Sequence, residues 1–99
     1  MSSYSFLAEA EAEYLEAVRF YEGQRAGLGN ALILEFERSI GLAIKKTEAC
    51  KLVHPSGIRR IDLSRYPYSI FYRIYHNDIQ VTAFAHHRRR PGYWLTRVS

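Results

Sequence analysis

The spacing of apolar residues changes once along this sequence, from the period of a helix in the first half to the period of a strand in the second. In residues 8–22 the apolar positions recur every three or four residues within a run of strong helix formers, which predicts an amphipathic helix. Three glycines in residues 23–29 interrupt that pattern, and helical spacing resumes from Gly29 to Ala49. Because the connection is short, the two helices should pack as an antiparallel hairpin.

Alternating apolar and polar residues predict three strands in the second half, at residues 60–63, 68–75 and 79–86. The segments between them are short, so the strands should pair as an antiparallel meander. The apolar segment Ser3–Leu7 is predicted as an edge strand. The fold class is therefore α+β, an N-terminal helix hairpin packed on a small, mainly antiparallel sheet.

The alternation also assigns side chains to the two faces of the predicted sheet. We expect the helices to cover an aliphatic face. That face comprises Ile61, Leu63, Tyr68, Ile70, Tyr72, Ile74, Ile79, Val81, Ala83 and Ala85. The opposite face is predicted to be polar, aromatic and basic. It comprises Arg60, Asp62, Ser69, Phe71, Arg73, Thr82, Phe84 and His86.

Charge is divided unevenly between the two halves of the chain. Residues 1–50 carry five Lys or Arg and eight Glu, a net charge of −3, whereas residues 51–99 carry nine Lys or Arg and two Asp, a net charge of +7. With 47% hydrophobic residues, we expect one domain over residues 1–99, with a basic C-terminal tail at 87–99. The basic half should attract a polyanion or an acidic protein partner. The alternative is a solvated basic face without a ligand.

The sequence also predicts what the protein lacks. Cys50 is its one cysteine, which excludes an intramolecular disulfide and a thiolate zinc site and favours the reducing cytoplasm. The N-terminus does not read as a secretory leader, and no stretch approaches the roughly 18 apolar residues of a membrane span. His86 and His87 are adjacent, so they would point to opposite faces of a strand and could not share a metal ion. We therefore expect no cofactor, no metal and no membrane contact.

Residues near the end of the last predicted strand could support chemistry on a nucleic acid. His86 could act as an acid or base near neutral pH, arginines could hold a phosphate, and Tyr93 and Trp94 could stack on a base. The alternative interpretation is structural. In that case Phe71 and Phe84 fill the second face of the sheet, and Tyr93 and Trp94 cover its edge.

Four segments carry a recognisable combination: EAEAEYLEAVRFYE, GLGNALILEFERSI, RRIDLSRYPYSIFYRIY and AHHRRRPGYW. In this order they resemble the RelE/ParE superfamily of toxins from type II toxin-antitoxin modules. The resemblance implies a small cytoplasmic toxin neutralised by an antitoxin with an acidic, partly disordered segment, and a pair that represses its own operon through operator DNA. It also implies one of two activities, since RelE-like members cut messenger RNA on the ribosome whereas ParE-like members poison DNA gyrase.

The ribonuclease alternative gives catalytic roles to His86, Arg60 and Arg88. In that alternative Arg73 would also hold the phosphate, and Tyr93 or Trp94 would stack on a base. Two positions where the ribonucleases of this superfamily carry basic residues are Asp62 and Ser69 in this sequence. A transition state that gains negative charge needs positive groups aimed at it, so the two departures weaken the ribonuclease interpretation.

The RYPY segment and the PGYW ending look more like the ParE and plasmid-stabilisation branch. We therefore predict a ParE-like inhibitor of DNA gyrase that arrests growth until its antitoxin binds. The predicted target-binding residues are Arg73, Arg88, Arg89, Arg90, Tyr93 and Trp94. Two alternatives stay open: a RelE-like, ribosome-dependent mRNA endoribonuclease, and an inactive family member retained for partner binding.

Overall fold

The computed structural model describes residues 3–98, in which two helices pack against one face of a five-stranded sheet. The helices are α1 (Ala8–Gln24) and α2 (Leu28–Lys45), and short 3-10 turns lie at Thr47–Ala49 and Leu95–Arg97. The strands are β1 (Tyr4–Phe6), β2 (Lys51–His54), β3 (Ile58–Asp62), β4 (Tyr68–Tyr75) and β5 (Asp78–His86). The predicted α+β class and helix hairpin are confirmed. Neither helix of this described region is long and apolar enough to cross a membrane.

The strands are ordered β1-β5-β4-β3-β2, with β1 parallel to β5 and the other neighbours antiparallel. The predicted meander and N-terminal edge strand are thus confirmed. β2 is absent from the sequence-based prediction because four residues before a proline are too few to show alternation, and pairing with β3 supplies the missing constraint. α2 ends earlier than predicted, at Lys45 rather than Ala49. There the Thr47 hydroxyl donates to the Ala43 carbonyl oxygen at 2.8 Å, and a separate 3-10 turn begins.

The turn between the helices depends on one carboxylate and two glycines. Glu22 accepts hydrogen bonds from the backbone N–H groups of Gly27 and Gly29 at 3.0 to 3.1 Å, which satisfies donors that the start of α2 leaves unpaired. Gly27 has a φ of +95°, in the left-handed region. A Cβ at position 29 would lie 2.9 Å from the Val18 carbonyl oxygen, so glycine at this position allows the two helices to approach closely.

An aromatic cluster fills the space between the helices and the sheet. The centroid of the Tyr14 ring lies 4.5 Å from that of Phe36 and 5.4 Å from that of Phe84, which joins α1, α2 and β5. Phe6 of β1 stacks on Phe36 at 5.5 Å. Burial raises the pKa of Tyr14 to about 12, so its hydroxyl stays protonated at neutral pH and acts as part of the core.

A β-bulge in β5 changes which side chains face the helices. The pairing of β4 with β5 shifts between Phe71 and Tyr72, which leaves Thr82 as an extra residue on β5. Beyond the bulge, Phe84 turns toward the helices and Ala83 toward the other side of the sheet, which we call the outer face. Strict alternation predicts the reverse, so the predicted positions of these two residues are wrong. The predicted position of Ala85 is wrong for the same reason, because Ala85 lines the outer face.

The predicted outer-face position of His86 is also wrong, because His86 follows Phe84 toward the helix side. Its ring centroid lies 5.0 Å from that of Tyr68, which in turn stacks on Phe84 at 4.8 Å. At the end of β5, His86 borders two clefts, one against α1 and one on the outer face. The outer face carries Arg60, Asp62, Ser69, Phe71, Ala83 and Ala85.

Glu35 ties α2 to the turn between β3 and β4. Glu35 is 5% exposed, and one of its oxygens accepts hydrogen bonds from the Ser64 N–H at 2.6 Å, the Ser64 hydroxyl at 3.1 Å and the Arg65 N–H at 3.2 Å. Burial raises the pKa of this carboxyl, but the hydrogen bonds outweigh burial and hold the pKa below its ordinary value. The fold therefore stabilises the charged form.

We expect Glu35→Gln to lower the free energy of unfolding at neutral pH by about 1–3 kcal/mol, because an amide is a weaker acceptor for these donors. Folding lowers the pKa of the Glu35 carboxyl. Its contribution to the free energy of unfolding is therefore fully present above the unfolded-state pKa of about 4.3, and it is lost as the pH falls through the native pKa. Urea unfolding at neutral and acidic pH should show the difference between the two proteins narrowing in acid. Glu37→Gln, an exposed change on the same helix, is the control. An equal loss in the control, or a difference that persists in acid, would contradict this role.

Candidate functional site

The C-terminal segment, residues 87–98, folds across the outer face of the sheet. Trp94 is 4% exposed and packs against Phe71, with ring centroids 4.8 Å apart. Ile58 and Ala83 complete this second apolar cluster. The segment predicted as a basic tail is therefore packed against the sheet in its final residues, and Trp94 covers the sheet instead of offering its ring to a ligand.

Two charged side chains complete the edge of β5. β1 pairs with β5 only along residues 79–81, so the next backbone groups of β5 have no strand partner on that side. Glu13 of α1 accepts the Phe84 N–H at 3.0 Å, and Arg97 donates to the Thr82 carbonyl oxygen at 3.1 Å. Glu13 and Arg97 are joined to each other by hydrogen bonds of 2.8 and 3.0 Å. The ion pair thus takes the place of a longer edge strand.

Glu13 also anchors the C-terminal segment through Tyr93. The Tyr93 hydroxyl donates to Glu13 at 2.7 Å, and the Arg89 guanidinium carbon lies 3.8 Å from the centroid of the Tyr93 ring. Burial raises the pKa of Glu13, but hydrogen bonds from Arg97 and Tyr93 outweigh it and leave the pKa lowered. Burial and the Glu13 carboxylate raise the pKa of Tyr93 well above its usual range. The Tyr93 hydroxyl is therefore protonated at neutral pH and donates the hydrogen bond that anchors the segment.

A cleft of about 330 Å³, the outer-face cleft, lies between the sheet and the C-terminal segment. It brings together six of the predicted site residues: Arg60, His86, Arg89, Arg90, Tyr93 and Trp94. No aspartate or glutamate of residues 3–98 lines it. Within the same residues, no three His, Cys, Asp or Glu side chains are grouped so that they could hold a metal ion.

Two predicted arginines lie away from this cleft, and a third is neutralised within it. Arg73 donates through Nε to the Gln80 side-chain oxygen at 2.8 Å and lines a different cavity. Arg88 is exposed and does not line the outer-face cleft. Arg60 does line it, but its guanidinium forms hydrogen bonds of 2.8 and 3.2 Å with Asp62. That contact raises the pKa of Arg60 and lowers the pKa of Asp62.

Two histidines of the cleft have a defined neutral tautomer. Nδ1 of His86 accepts the Arg88 N–H at 3.0 Å, and Nδ1 of His54 accepts the Ser56 N–H at 3.2 Å. A ring nitrogen that accepts carries no hydrogen, so Nε2 carries it in the neutral ring. His54 and His87, which also lines the cleft, are missing from the predicted site. The Pro-Ser-Gly turn after His54 is the sequence signal that could have indicated the β2–β3 hairpin.

Tyr93→Phe removes the hydroxyl that donates to Glu13 and keeps the aromatic ring. We expect the free energy of unfolding to fall by about 1.5–3 kcal/mol, the range for a hydrogen bond to a charged group. Denaturant unfolding followed by the fluorescence of Trp94, the one tryptophan of the sequence, measures this change. Tyr75→Phe removes a hydroxyl from a tyrosine that is 45% exposed and should leave stability nearly unchanged. A Tyr93→Phe protein as stable as the original would show that the hydroxyl does not anchor the segment.

The sequence and the fold were compared with those of known proteins. Residues 4–91 match a family model described as the ParE toxin of the type II toxin-antitoxin system parDE. The fold is similar to that of a solved structure described as a chromosomal ParDE TA system from P. aeruginosa, with a TM-score of 0.72 over 87% of this chain and 96% of that chain, at 16% sequence identity. No curated protein sequence matches. Because the family match spans most of the chain, the protein belongs to the ParE toxin family of type II toxin-antitoxin systems.

Proposed function

We propose that this ParE-family toxin inhibits DNA gyrase and arrests growth, in the cytoplasm, until an antitoxin binds it. Membership of a toxin-antitoxin family implies the antitoxin partner. One observation supports the choice of gyrase over messenger RNA: of the three arginines that a ribonuclease of this superfamily would use, Arg73 and Arg88 lie outside the cleft that holds His86, and Arg60 is paired with Asp62.

The arginines needed around a scissile phosphate are dispersed or already paired. Arg60 is hydrogen-bonded to Asp62, Arg73 lines a different cavity, and Arg88 lies outside the outer-face cleft. Cleavage of a phosphodiester builds up negative charge, and a guanidinium already bonded to a carboxylate offers less compensation for it. This dispersal supports a toxin that acts by binding.

The proton chemistry of the cleft points in the same direction. His86 in its neutral form is a donor through Nε2, because Nδ1 is occupied by the Arg88 N–H. In this form Nε2 can donate a hydrogen bond, but the ring offers no free nitrogen to deprotonate a nucleophile. No carboxylate among residues 3–98 lines the cleft to serve as that base. The ribonuclease alternative therefore lacks a general base among the described residues that line the cleft.

We propose that gyrase is contacted by the exposed cations Arg88 and Arg90. Both lie in the turn that follows β5, and neither guanidinium has a partner within the part of the chain that the structure describes. Tyr93 and Trp94, also predicted to bind the target, have structural contacts that support this turn. Arg89 lies against the Tyr93 ring in the same way.

We propose that the antitoxin contributes an acidic, partly disordered segment and that the pair binds operator DNA through the antitoxin. The second half of the chain, with its net charge of +7, would steer such a segment in a salt-dependent manner. Exposed apolar side chains add a contribution that salt does not screen. On the helices these are Leu15, Phe20, Leu34 and Leu42.

Adding the purified protein to gyrase, relaxed plasmid and ATP should block supercoiling and increase cleaved linear DNA. An Arg88→Ala/Arg90→Ala variant should require a roughly tenfold or higher concentration for the same inhibition, because two exposed contact charges are lost. Arg19→Ala/Arg25→Ala removes the same charge from exposed positions at the helices and should inhibit normally. Equal inhibition by both double variants would exclude these contacts. A wild-type protein without effect, at concentrations well above that of gyrase, would reject gyrase as the target.

His86→Gln separates the gyrase proposal from the ribonuclease alternative. If gyrase is the target, growth arrest after induction should persist in this variant, and messenger RNA from the arrested cells should stay uncleaved. Growth curves and primer extension on a reporter transcript measure the two effects. Cleavage by the wild-type protein that disappears in His86→Gln would favour the ribonuclease. Induction of the wild-type protein without any growth defect would favour the inactive family member.

A further inference from the structure

We infer that two copies of this chain associate through the solvent side of α1, with the two helices antiparallel. Exposed residues recur there at helical spacing and define what we call the α1 face. They are Ala12, Leu15, Glu16, Arg19, Phe20 and Gly23. Leu15 is 44% exposed and Phe20 is 56% exposed, so covering this face would remove two large apolar side chains from water.

The α1 face is complementary to itself when one copy is reversed. Its middle lies between positions 17 and 18. In two antiparallel helices that cross at this point, each residue meets the level of the residue that lies equally far on the other side of the middle in the second copy. Three pairs then meet at equal levels: Glu16 with Arg19, Leu15 with Phe20, and Ala12 with Gly23. A patch that is its own complement is what a two-fold dimer requires.

The two charges of the face favour a second copy over a partner of uniform charge. Neither the Glu16 carboxylate nor the Arg19 guanidinium forms a hydrogen bond or ion pair with another of residues 3–98. An acidic segment would be attracted by Arg19 and repelled by Glu16, and a basic segment the reverse. A reversed second copy satisfies both charges, and the two-fold axis repeats the contact. Antiparallel helix dipoles add to the attraction.

Small residues at both ends of the α1 face allow the two helices to approach closely. A Cβ at Gly23 would have no atom within 4 Å, and its φ is not in the left-handed region. Neither packing nor backbone conformation within the described region therefore requires glycine at this position, although glycine is a weak helix former. At the level of Ala12 in a second copy, the missing side chain leaves room for the methyl group.

The area of one helix pair sets the expected strength of the dimer. A standard protein interface buries about 1,600 Å², and a single pair of helices buries less, so we expect a reversible dimer that forms at micromolar concentrations. The α1 face does not include Arg88 or Arg90, so self-association can be found whether or not the protein inhibits gyrase. Leu15 and Phe20 also belong to the apolar surface offered to the antitoxin, so the antitoxin would compete with the second copy.

Sedimentation of the full chain from low to high micromolar concentrations should show a reversible change from monomer to dimer. Leu15→Ser should weaken the dimer by roughly tenfold or more, because the axis makes each substitution count twice. Leu34→Ser is the matched control, since Leu34 is 54% exposed on α2 and lies outside the α1 face. This variant should dimerise like the original protein, and thermal unfolding should show that both variants fold.

Exchanging the two charges tests the antiparallel arrangement. Glu16→Arg places like charges at the same level and should weaken the dimer several-fold. The double variant Glu16→Arg/Arg19→Glu restores opposite charges at that level and has the net charge of the original protein, so the dimer should return. A double variant that dimerises no better than Glu16→Arg would overturn the inference.

A cross-link tests which residues meet. Positions 12 and 23 are about 16 Å apart along one helix, too far for a disulfide within one chain. In a Cys50→Ser background, the variant Ala12→Cys/Gly23→Cys should form a disulfide-linked dimer on mild oxidation, and each single cysteine variant should not. Linkage through Gly23→Cys alone would contradict antiparallel helices.

Two further results would overturn the inference: a chain that stays monomeric at every concentration, or equal weakening of the dimer by Leu34→Ser. A monomeric chain whose affinity for the antitoxin falls in Leu15→Ser would assign the α1 face to the antitoxin instead of a second copy.

Discussion

The ion pair of Glu13 with Arg97 supports much of this fold because it completes a sheet edge that β1 leaves open. β1 has three residues, and beyond it the Phe84 N–H and the Thr82 carbonyl have no strand partner. An unpaired backbone group in a buried edge costs about as much free energy as a lost hydrogen bond. Here Glu13 accepts the N–H and Arg97 donates to the carbonyl oxygen. The same carboxylate binds Tyr93. One contact thus connects α1, β5 and the segment that forms the outer-face cleft.

Several arginines of the basic half are already hydrogen-bonded within the fold, so only the remaining cations can contact a partner. Arg59 donates to the Cys50 carbonyl oxygen, Arg60 pairs with Asp62, and Arg97 pairs with Glu13. These guanidiniums act in the fold, since each already has an oxygen partner. In the turn after β5, Arg88 and Arg90 have no side-chain partner among the described residues, whereas Arg89 lies against Tyr93 and near Glu13. Net charge counted along the sequence therefore overstates the charge that a target or an antitoxin would meet.

The candidate site was only partly predictable, and the reasons are specific. Basic and aromatic residues close together in the sequence after β5 do gather at one cleft. Arg73 shares a predicted face with these residues, but it lies further along β4 and lines another cavity. His86 reaches the cleft from the opposite side to the one predicted, because Thr82 shifts the alternation of β5. The sequence does not indicate His54, because β2 is too short to show the alternation of apolar and polar residues.

The sequence by itself determined the helix hairpin, the three-stranded meander and the N-terminal edge strand, because apolar periodicity is a local property that nearby residues specify. Tertiary structure decided the bulge, the final orientation of β5 and the docking of the C-terminal segment. A bulge exists only where two strands pair, so one strand's sequence does not reveal it. The partners of Glu13 lie 71 to 84 residues further along the chain, and no local pattern connects residues so distant in sequence.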